Sequence, residues 1–324
     1  MSDIHGHDGH DSDASGGHGA DGGHGGHGGR GAHRHGHAHG HDHSDLDWAS
    51  MAPMLVRSGE LYSPVYRQAA AWIGERRPLG EVRRILDIGS GPGVVTCLLA
   101  EVFPAAEVVA VDAARPLLDH ARARAERLGL ADRFSTIEAE LPDGIGELGE
   151  ADLIWAGNSL HHIGDQRAAL ARFAELLRPG GTMALVEGGL PSRYLPRDIG
   201  MGRPGLQARF DVVVDEWFSR MRAELPGAKE ETEDWAALLA SAGLTPTGTR
   251  TFLIDRPAPL EPEVREQVVN DFSWAWEAVG QELAPEDQAV VRRLLDPADE
   301  ASLARRQDVF MLAARSIHTA RRDG

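Results

Sequence analysis

Residues 85–93 read I-L-D-I-G-S-G-P-G, and this stretch decides the fold. A short apolar run ends in Asp87 and leads into an apolar segment, Val94–Val102. Between them lie three glycines at alternate positions, Gly89, Gly91 and Gly93. The pattern predicts a buried strand, a tight turn and a helix. Glycine suits the turn because its backbone adopts positive φ angles and lets a ligand lie against it. The stretch therefore indicates an α/β sheet with a ligand site after this strand.

A second carboxylate ends the next apolar run, since Ala106–Val111 is followed directly by Asp112. In doubly wound sheets an acidic residue at this place binds the hydroxyl groups of a ribose. Together with the glycine turn, Asp112 predicts an adenosine-containing cofactor.

The spacing of the glycines separates two kinds of cofactor site. A dinucleotide fold has G-x-G-x-x-G, with its third glycine on the helix. Val94 occupies that position here, which disfavours a nicotinamide oxidoreductase. The pattern D-x-G-x-G-x-G instead resembles motif I of class I S-adenosylmethionine-dependent methyltransferases.

Later segments resemble the same family in order and spacing. Arg133–Leu141 is similar to the third strand, and Ala151–His162 is similar to the fourth strand and the loop after it. Leu177–Gly181 resembles the turn before the fifth strand, Thr182–Glu187. The resemblance implies a Rossmann-like α/β fold, with a doubly wound, mostly parallel seven-stranded sheet. In this fold the seventh strand is antiparallel and lies between the fifth and the sixth.

The resemblance also implies which residues bind S-adenosylmethionine. Gly89 and Gly91 let the backbone approach the methionine part, and Asp87 orders the loop. Asp112 takes the ribose hydroxyls. Glu140 takes the adenine amino group, at a position where the family commonly has aspartate. The complete predicted cofactor site is Asp87, Gly89, Gly91, Gly93, Asp112, Ala113, Glu140 and Asn158.

Two adjacent histidines, His161 and His162, follow the fourth predicted strand. A neutral imidazole beside the methyl group accepts a proton from a hydroxyl or amine acceptor, because its ordinary pKa lies near the working pH. Both histidines are therefore candidate catalytic residues. The alternative is that they cap or pack the following helix, and this structural interpretation is favoured for at least one of them.

The composition limits the partners. The 324 residues carry a formal net charge of −17, and Lys229 is the single lysine. An acidic chain is unsuited to binding nucleic acid, since phosphate contacts require a basic surface. No apolar run approaches the roughly 20 residues that span a membrane, and no signal-type stretch precedes the core. The sequence predicts a cytoplasmic enzyme that acts on a small molecule.

Residues 1–44 differ in composition from the rest of the chain. They are rich in glycine, aspartate and histidine and contain twelve of the sixteen histidines, so they are predicted to be a disordered tail. The alternating histidines at 33–43 predict binding of divalent metal ions. Two interpretations stay open, a dedicated metal-buffering arm and a solvating low-complexity segment, of which the second is favoured. No catalytic metal is predicted.

The body is predicted to contain N-terminal lid helices at 45–80 and a methyltransferase domain at 81–324. Trp48–Arg77 reads as one or two amphipathic helices, interrupted around Ser58-Gly59 and Ser63-Pro64. Two tyrosines of this segment, Tyr62 and Tyr66, either reach the cofactor carboxylate or the substrate, or pack within the lid.

Two insertions are predicted in the C-terminal part, at about 188–227 and 261–306. Thr247–Ile254 is predicted as the sixth strand and Asp308–His318 as the seventh. We expect the insertions to form a helical cap over the acceptor, because such loops add specificity to a shared scaffold. The alternative for the second insertion is packing at the sheet edge or a homodimer contact.

Three functions remain in order of preference. The first is methyl transfer from S-adenosylmethionine to an oxygen, nitrogen or carbon atom of a small molecule. The second is methylation of protein or nucleic acid, which the acidic charge disfavours, as does N-S-L-H-H where an N-P-P-Y-type motif would stand. The third, from another class, is metal binding or buffering through the histidine-rich tail.

Overall fold

The computed structural model describes residues 48–76, 79–141 and 143–324. The predicted tail at 1–44 lies outside the described residues, and so do the predictions of its disorder and of metal binding to it.

The described part of the chain forms one seven-stranded sheet with the strand order β3-β2-β1-β4-β5-β7-β6. Strands β1 to β5 run parallel to one another, and β7 is antiparallel to both of its neighbours. This order confirms the predicted fold class and the position of the seventh strand. The strands are β1 Arg84–Ile88, β2 Glu107–Asp112, β3 Phe134–Glu138, β4 Ala151–Gly157, β5 Leu177–Arg193, β6 Thr245–Arg256 and β7 Met311–Arg321.

Helices cover both faces of the sheet. Asp165 and Asp234 begin two of them, and each carboxylate accepts a hydrogen bond from the backbone amide three residues later at 3.0 Å. The described helices are α1 Trp48–Gly74, α2 Val94–Val102, α3 Arg115–Arg127, α4 Gln166–Leu176, α5 Leu206–Glu224, α6 Trp235–Ser241, α7 Pro262–Val279 and α8 Pro285–Leu295. Among them none is long and apolar enough to cross a membrane.

Two apolar clusters occupy the two faces of the sheet. Ile85 packs with α1, α2 and the C-terminal helices on one face, whereas Leu86 packs with α4 and α6 on the other. Successive strand residues point to opposite faces, and a parallel sheet covered on both sides is apolar on both. This double burial explains why the strands read as continuous apolar runs.

The interruption predicted within the first helical segment is wrong, because α1 is one continuous helix that contains Pro53 and Pro64. Its buried face packs on α2 and outweighs the loss of backbone hydrogen bonds at the prolines. Gly59 has a packing role in α1. A Cβ atom there would lie 2.9 Å from Cβ of Val94, so glycine lets α1 lie directly over the start of α2.

The fifth and seventh strands differ from their predicted limits. Strand β5 continues past Glu187 into the first predicted insertion, where Arg193 still pairs with Leu312 of β7. Register shifts after Val186 and Leu190 allow this continuation, because the extra residues of a β-bulge change the direction of a strand without ending it. The helical part of that insertion therefore begins at α5.

The C-terminal helices α5, α7 and α8 pack together. Phe210 of α5 meets Phe272 of α7 with ring centroids 5.4 Å apart. Arg209 of α5 donates two hydrogen bonds of 2.7 Å to the Asp287 carboxylate of α8. Bidentate pairs of this kind fix orientation as well as distance. The two insertions thus form one helical layer, which we call the cap.

Candidate active site

A cavity of about 300 Å³ lies at the carboxyl ends of β1 and β4, beneath α1. The loop after β1 supplies Gly89 and Gly91, and the end of β4 supplies Trp155 and Asn158. Ligands of open α/β sheets bind at the carboxyl ends of the strands. A somewhat larger cavity, of about 370 Å³, contains Thr182 at the opposite end of the sheet and none of the predicted site residues. We therefore place the candidate active site in the first cavity.

Hydrogen bonds to the second strand hold the glycine loop in place. The amides of Gly89 and Ser90 donate to the Val111 carbonyl at 2.8 and 3.0 Å. The amide of Gly91 donates to Oδ2 of Asp112 at 2.8 Å. A Cβ at Gly91 would have no neighbour within 4 Å, so the loop turns an open face toward the cavity. This open face is the space in which a ligand can approach the backbone.

Gly93 differs from Gly91 in what surrounds its Cα atom. Its φ is +75°, and a Cβ atom there would lie 2.5 Å from Cβ of Ala121 in α3. Gly93 does not belong to the described lining of the cavity. The third glycine therefore permits close packing of α2 against α3.

The two predicted acids near the loop are both tied to it. Asp87 is buried and accepts a hydrogen bond of 2.5 Å from Thr96 Oγ1, and burial raises the pKa of its carboxyl to about 7. Oδ1 of Asp112 accepts from the amide of Ala114 at 2.9 Å, while Oδ2 binds Gly91 as described above. Burial also raises the pKa of Asp112. Both acids thus order the backbone that surrounds the cavity.

Asn158 follows β4 with φ +51°, the one positive φ of a non-glycine residue in the described chain. Its Nδ2 donates to the hydroxyl of Tyr66 at 3.1 Å. The Tyr66 ring packs edge-on against Trp155, with centroids 6.1 Å apart. Residues held in this uncommon conformation cluster at functional sites. The geometry links the end of β4 to α1 across the cavity.

Two side chains around this cavity, Trp155 and Arg315, were not assigned a role from the sequence. Trp155 forms part of its wall, and Arg315 of β7 reaches into it. The Tyr62 hydroxyl lies 3.0 Å from Ser192 Oγ on the extended part of β5. Trp155 continues the apolar run of β4, and Arg315 stands among apolar and polar residues of β7, so no pattern in the sequence marks either of them.

The structure separates the two histidines. Nδ1 of His161 lies 2.9 Å from Oε2 of Glu187, a buried carboxylate whose Oε1 accepts from the amide of Leu160 at 3.0 Å. His162 is exposed. Glu187 ends the predicted fifth strand and was not assigned a role from the sequence. It orients the imidazole of His161.

The α5 helix closes over this histidine turn. The ring of Phe218 packs on that of His161 at 5.5 Å, and Arg222 donates to the carbonyls of His161 and Ile163 at 2.6 and 2.9 Å. The cap thereby holds the backbone that carries His161.

The predicted site residues do not all lie at the cavity. Asp87, Gly89, Gly91 and Asn158 line the cavity together, and Asp112 joins them through Gly91. The described lining contains neither histidine. Ala113 and Glu140 are exposed beyond the ends of β2 and β3 and likewise do not line it. In the described part of the chain, no group of three or more His, Cys, Asp or Glu side chains is placed to hold a metal ion.

Comparison with known proteins adds independent information. Residues 85–181 match the model of a family described as a methyltransferase domain. A trans-aconitate 2-methyltransferase from Methylobacterium radiotolerans is 32% identical over 229 residues, which are 64% of this chain and 82% of that protein. A ubiquinone biosynthesis O-methyltransferase from Cereibacter sphaeroides is 29% identical over 202 residues, 62% of this chain and 70% of that protein. A demethylmenaquinone methyltransferase from Thermus thermophilus is 35% identical over 108 residues, 32% of this chain and 47% of that protein.

Proposed function

This chain belongs to the S-adenosylmethionine-dependent methyltransferases, and we propose that it binds this cofactor on the glycine loop and methylates a small molecule beneath its helical cap. One observation carries the proposal. Four residues predicted from two separate motifs, Asp87, Gly89 and Gly91 from one and Asn158 from the other, line a single cavity at the carboxyl ends of β1 and β4.

The residues present fit the cofactor. The open face at Gly91 leaves room for the methionine part against the backbone. The Asp112 carboxylate has about four lone-pair positions, of which the amides of Gly91, Ala113 and Ala114 use three, so it retains an acceptor for a ribose hydroxyl. Glu140 extends beyond β3, where we propose that it contacts the adenine. When bound, the cofactor supplies a methyl group that is already activated as part of a sulfonium.

The protein's tasks in this reaction are to align the acceptor and to exclude water, and both effects are large. The cavity beneath α1 performs the second task, because Tyr62, Tyr66 and Trp155 enclose it with buried aromatic rings. The cap helices do not belong to the described lining of the cavity, and we propose that they contribute to acceptor specificity through the histidine turn that α5 contacts.

We propose His161 as the general base for a hydroxyl or amine acceptor. The Glu187 carboxylate is an acceptor, so it holds the proton of His161 on Nδ1 and leaves Nε2 free to take a proton. The same carboxylate stabilises the imidazolium that results. His162 is exposed, and we assign it no chemical step. The alternative, that His161 only packs the turn beneath α5, is separated from this proposal by the kinetic test given in the Discussion.

The named relatives support a small acceptor. Their names specify trans-aconitate, O-methylation in ubiquinone biosynthesis, and demethylmenaquinone. None of the names specifies a macromolecule or a metal-buffering role. Which acceptor this chain uses is a separate question from the cofactor. Cytoplasmic localisation, a homodimer and divalent metal binding at 1–44 remain predictions.

Calorimetric titration of S-adenosylhomocysteine tests the cofactor site. We expect micromolar binding to the native chain and its loss in Asp112→Ala, because that change frees the Gly91 amide as well as removing the ribose acceptor. We expect Gly91→Ala to weaken binding at least tenfold, since a methyl group enters the open face and L residues rarely adopt its φ of +54°.

Gly129→Ala is the matched control for the second variant. Gly129 also has a positive φ, +69°, with no neighbour within 4 Å of a Cβ, but it ends α3 away from the cavity. Equal losses of binding in the two alanine variants would contradict the proposed site, and no binding to the native folded chain would contradict the proposed function.

A further inference from the structure

Arg315 is a charged residue in the buried middle of β7. Its neighbours on the same face, Ala313 and Ile317, are fully buried in the apolar cluster that faces α1. The side chain nevertheless reaches the cavity that contains the glycine loop. An arginine placed among apolar strand residues costs stability unless its charge is compensated or used. None of the sequence motifs assigns it a role.

The surroundings of Arg315 hold its guanidinium in one orientation. Its Cζ lies 4.4 Å from the centroid of the Tyr62 ring, and its Nη1 donates to the Ala314 carbonyl at 3.1 Å. Its side chain also hydrogen-bonds to Tyr66. The Nε atom is buried and has no hydrogen-bond acceptor in the described structure. An unpaired buried N–H is rare and needs an explanation, and a bound ligand is one.

The charge of Arg315 is balanced only at a distance. Among the described residues that line the cavity, Arg315 is the only cation and Asp87 is the only carboxylate. The charge of Arg315 acts on Asp271 of α7 electrostatically and lowers the pKa of its carboxyl, against the larger effect of burial. The Asp271 oxygens accept hydrogen bonds from the Tyr194 hydroxyl at 2.5 Å and from Gln267 Nε2 at 2.7 Å. No ion pair of the described residues includes Arg315. The guanidinium is therefore available to an anion that enters the cavity.

The glycine loop does not offer an equivalent donor. Its amides at 89–91 donate to the Val111 carbonyl and the Asp112 carboxylate, so they are already used by the protein. A carboxylate in the cavity consequently finds its charged donor on β7, from where arginine binds it through two parallel N–H groups.

We propose that Arg315 binds a carboxylate group inside the active-site cavity, through Nε–H and an Nη–H. The inference rests on the proposed function, because both sources of the carboxylate belong to that reaction. One source is the methionine part of the cofactor, and the other is a carboxylate of the acceptor. In either case Arg315 positions a ligand and takes no part in proton transfer.

Titration of three probes into the native chain and into Arg315→Gln distinguishes the sources. The probes are S-adenosylhomocysteine, 5′-methylthioadenosine, which lacks the amino-acid part, and trans-aconitate in the presence of S-adenosylhomocysteine. If Arg315 binds the cofactor carboxylate, Arg315→Gln should weaken the binding of S-adenosylhomocysteine roughly 10- to 100-fold and leave the binding of methylthioadenosine unchanged. If Arg315 binds a carboxylate of the acceptor, both nucleosides should bind unchanged, and the binding of trans-aconitate should weaken by a similar factor. Arg315→Lys should recover part of either loss, since it keeps the charge without the fork.

Arg250→Gln is the control variant. Arg250 lies on the adjoining strand β6 with its guanidinium 5.0 Å from the Phe252 ring, and it is exposed outside the cavity. It should bind all three probes as the native chain does. Unchanged binding of all three probes to Arg315→Gln would overturn the inference, and so would equal loss of both nucleosides, which indicates a packing role.

The same titrations keep the two proposals apart. If the native chain binds neither nucleoside, the proposed function fails. Trans-aconitate alone then decides the inference: weaker binding to Arg315→Gln supports it, and no binding or equal binding overturns it.

Discussion

The glycine loop and the histidine turn both follow parallel strands of the same sheet, but different contacts hold them. The loop at 89–93 is fixed by groups nearby in the chain, and its most distant side-chain bond, between Gly91 and Asp112, spans 21 positions. The turn at 158–163 is fixed from far away. Tyr66 binds Asn158 across 92 positions, and Arg222 binds the His161 carbonyl across 61.

This difference shows which part of the site belongs to the shared scaffold and which to the individual enzyme. A loop that is held by its own motif keeps its shape on any member of the fold. A turn that is held by α1, β5 and α5 depends on how the cap and the lid helix pack. The loop at 89–93 is therefore held by local contacts, and the turn at 158–163 is held by tertiary contacts.

The largest effect should come from the histidine turn. With any hydroxyl or amine acceptor, we expect His161→Ala to lower the methylation rate roughly 100-fold or more, since that is the usual contribution of a general base. Binding of S-adenosylhomocysteine should not change, because His161 lies outside the cavity lining. The measurement is the initial rate of transfer from labelled S-adenosylmethionine as a function of pH.

Two other histidines calibrate this experiment. His162→Ala should reduce the rate less, and His120→Ala, on the exposed side of α3, should leave it unchanged. Equal reductions of the rate in all three variants would favour the packing interpretation of His161. The same holds if His161→Ala destabilises the fold and the remaining activity keeps the native pH profile.

The second effect separates the glycines within the loop. Gly93→Ala places a methyl group 2.5 Å from Ala121 Cβ in a backbone conformation unsuited to alanine, so we expect a loss of about 3 kcal/mol in the free energy of unfolding. Urea denaturation measures it, and Gly129→Ala should lose only about 1 kcal/mol. A stable Gly93→Ala that fails to bind S-adenosylhomocysteine would show that Gly93 serves the ligand and not the packing of α2.

The third effect concerns the pH dependence of stability. Burial raises the pKa of Asp87 to about 7 from an ordinary value near 3.8, so the folded chain binds one more proton than the unfolded chain between these limits. The contribution is fully present below about pH 4 and is lost as the pH rises to about 7, with a slope of at most about 1.4 kcal/mol per pH unit.

Asp87→Asn removes this term, because an amide does not titrate and its oxygen still accepts from Thr96. Other buried carboxyls, such as Asp211 with a pKa raised to about 6, also contribute to the slope of the native chain. The difference between the two unfolding curves isolates Asp87. Parallel curves from pH 4 to pH 8 would mean that its pKa is not raised.

The sequence by itself determined the scaffold and predicted four of the residues that line the cavity. Strand, turn and helix from Arg84 to Val102 follow from local periodicity and from glycine chemistry, and the order of the strands follows from the resemblance. The strand–turn–helix segment depends on neighbours close in the chain, and short-range patterns record such neighbours.

Only the tertiary structure decided the rest. It placed Glu187 beside His161, made α1 continuous across Pro53 and Pro64, and carried β5 to Arg193. It also brought Arg315 from near the end of the chain to a cavity that begins at Gly89. Each of these outcomes depends on the packing of elements far apart in the chain, and a pattern within one segment contains no information about which distant segment will face it.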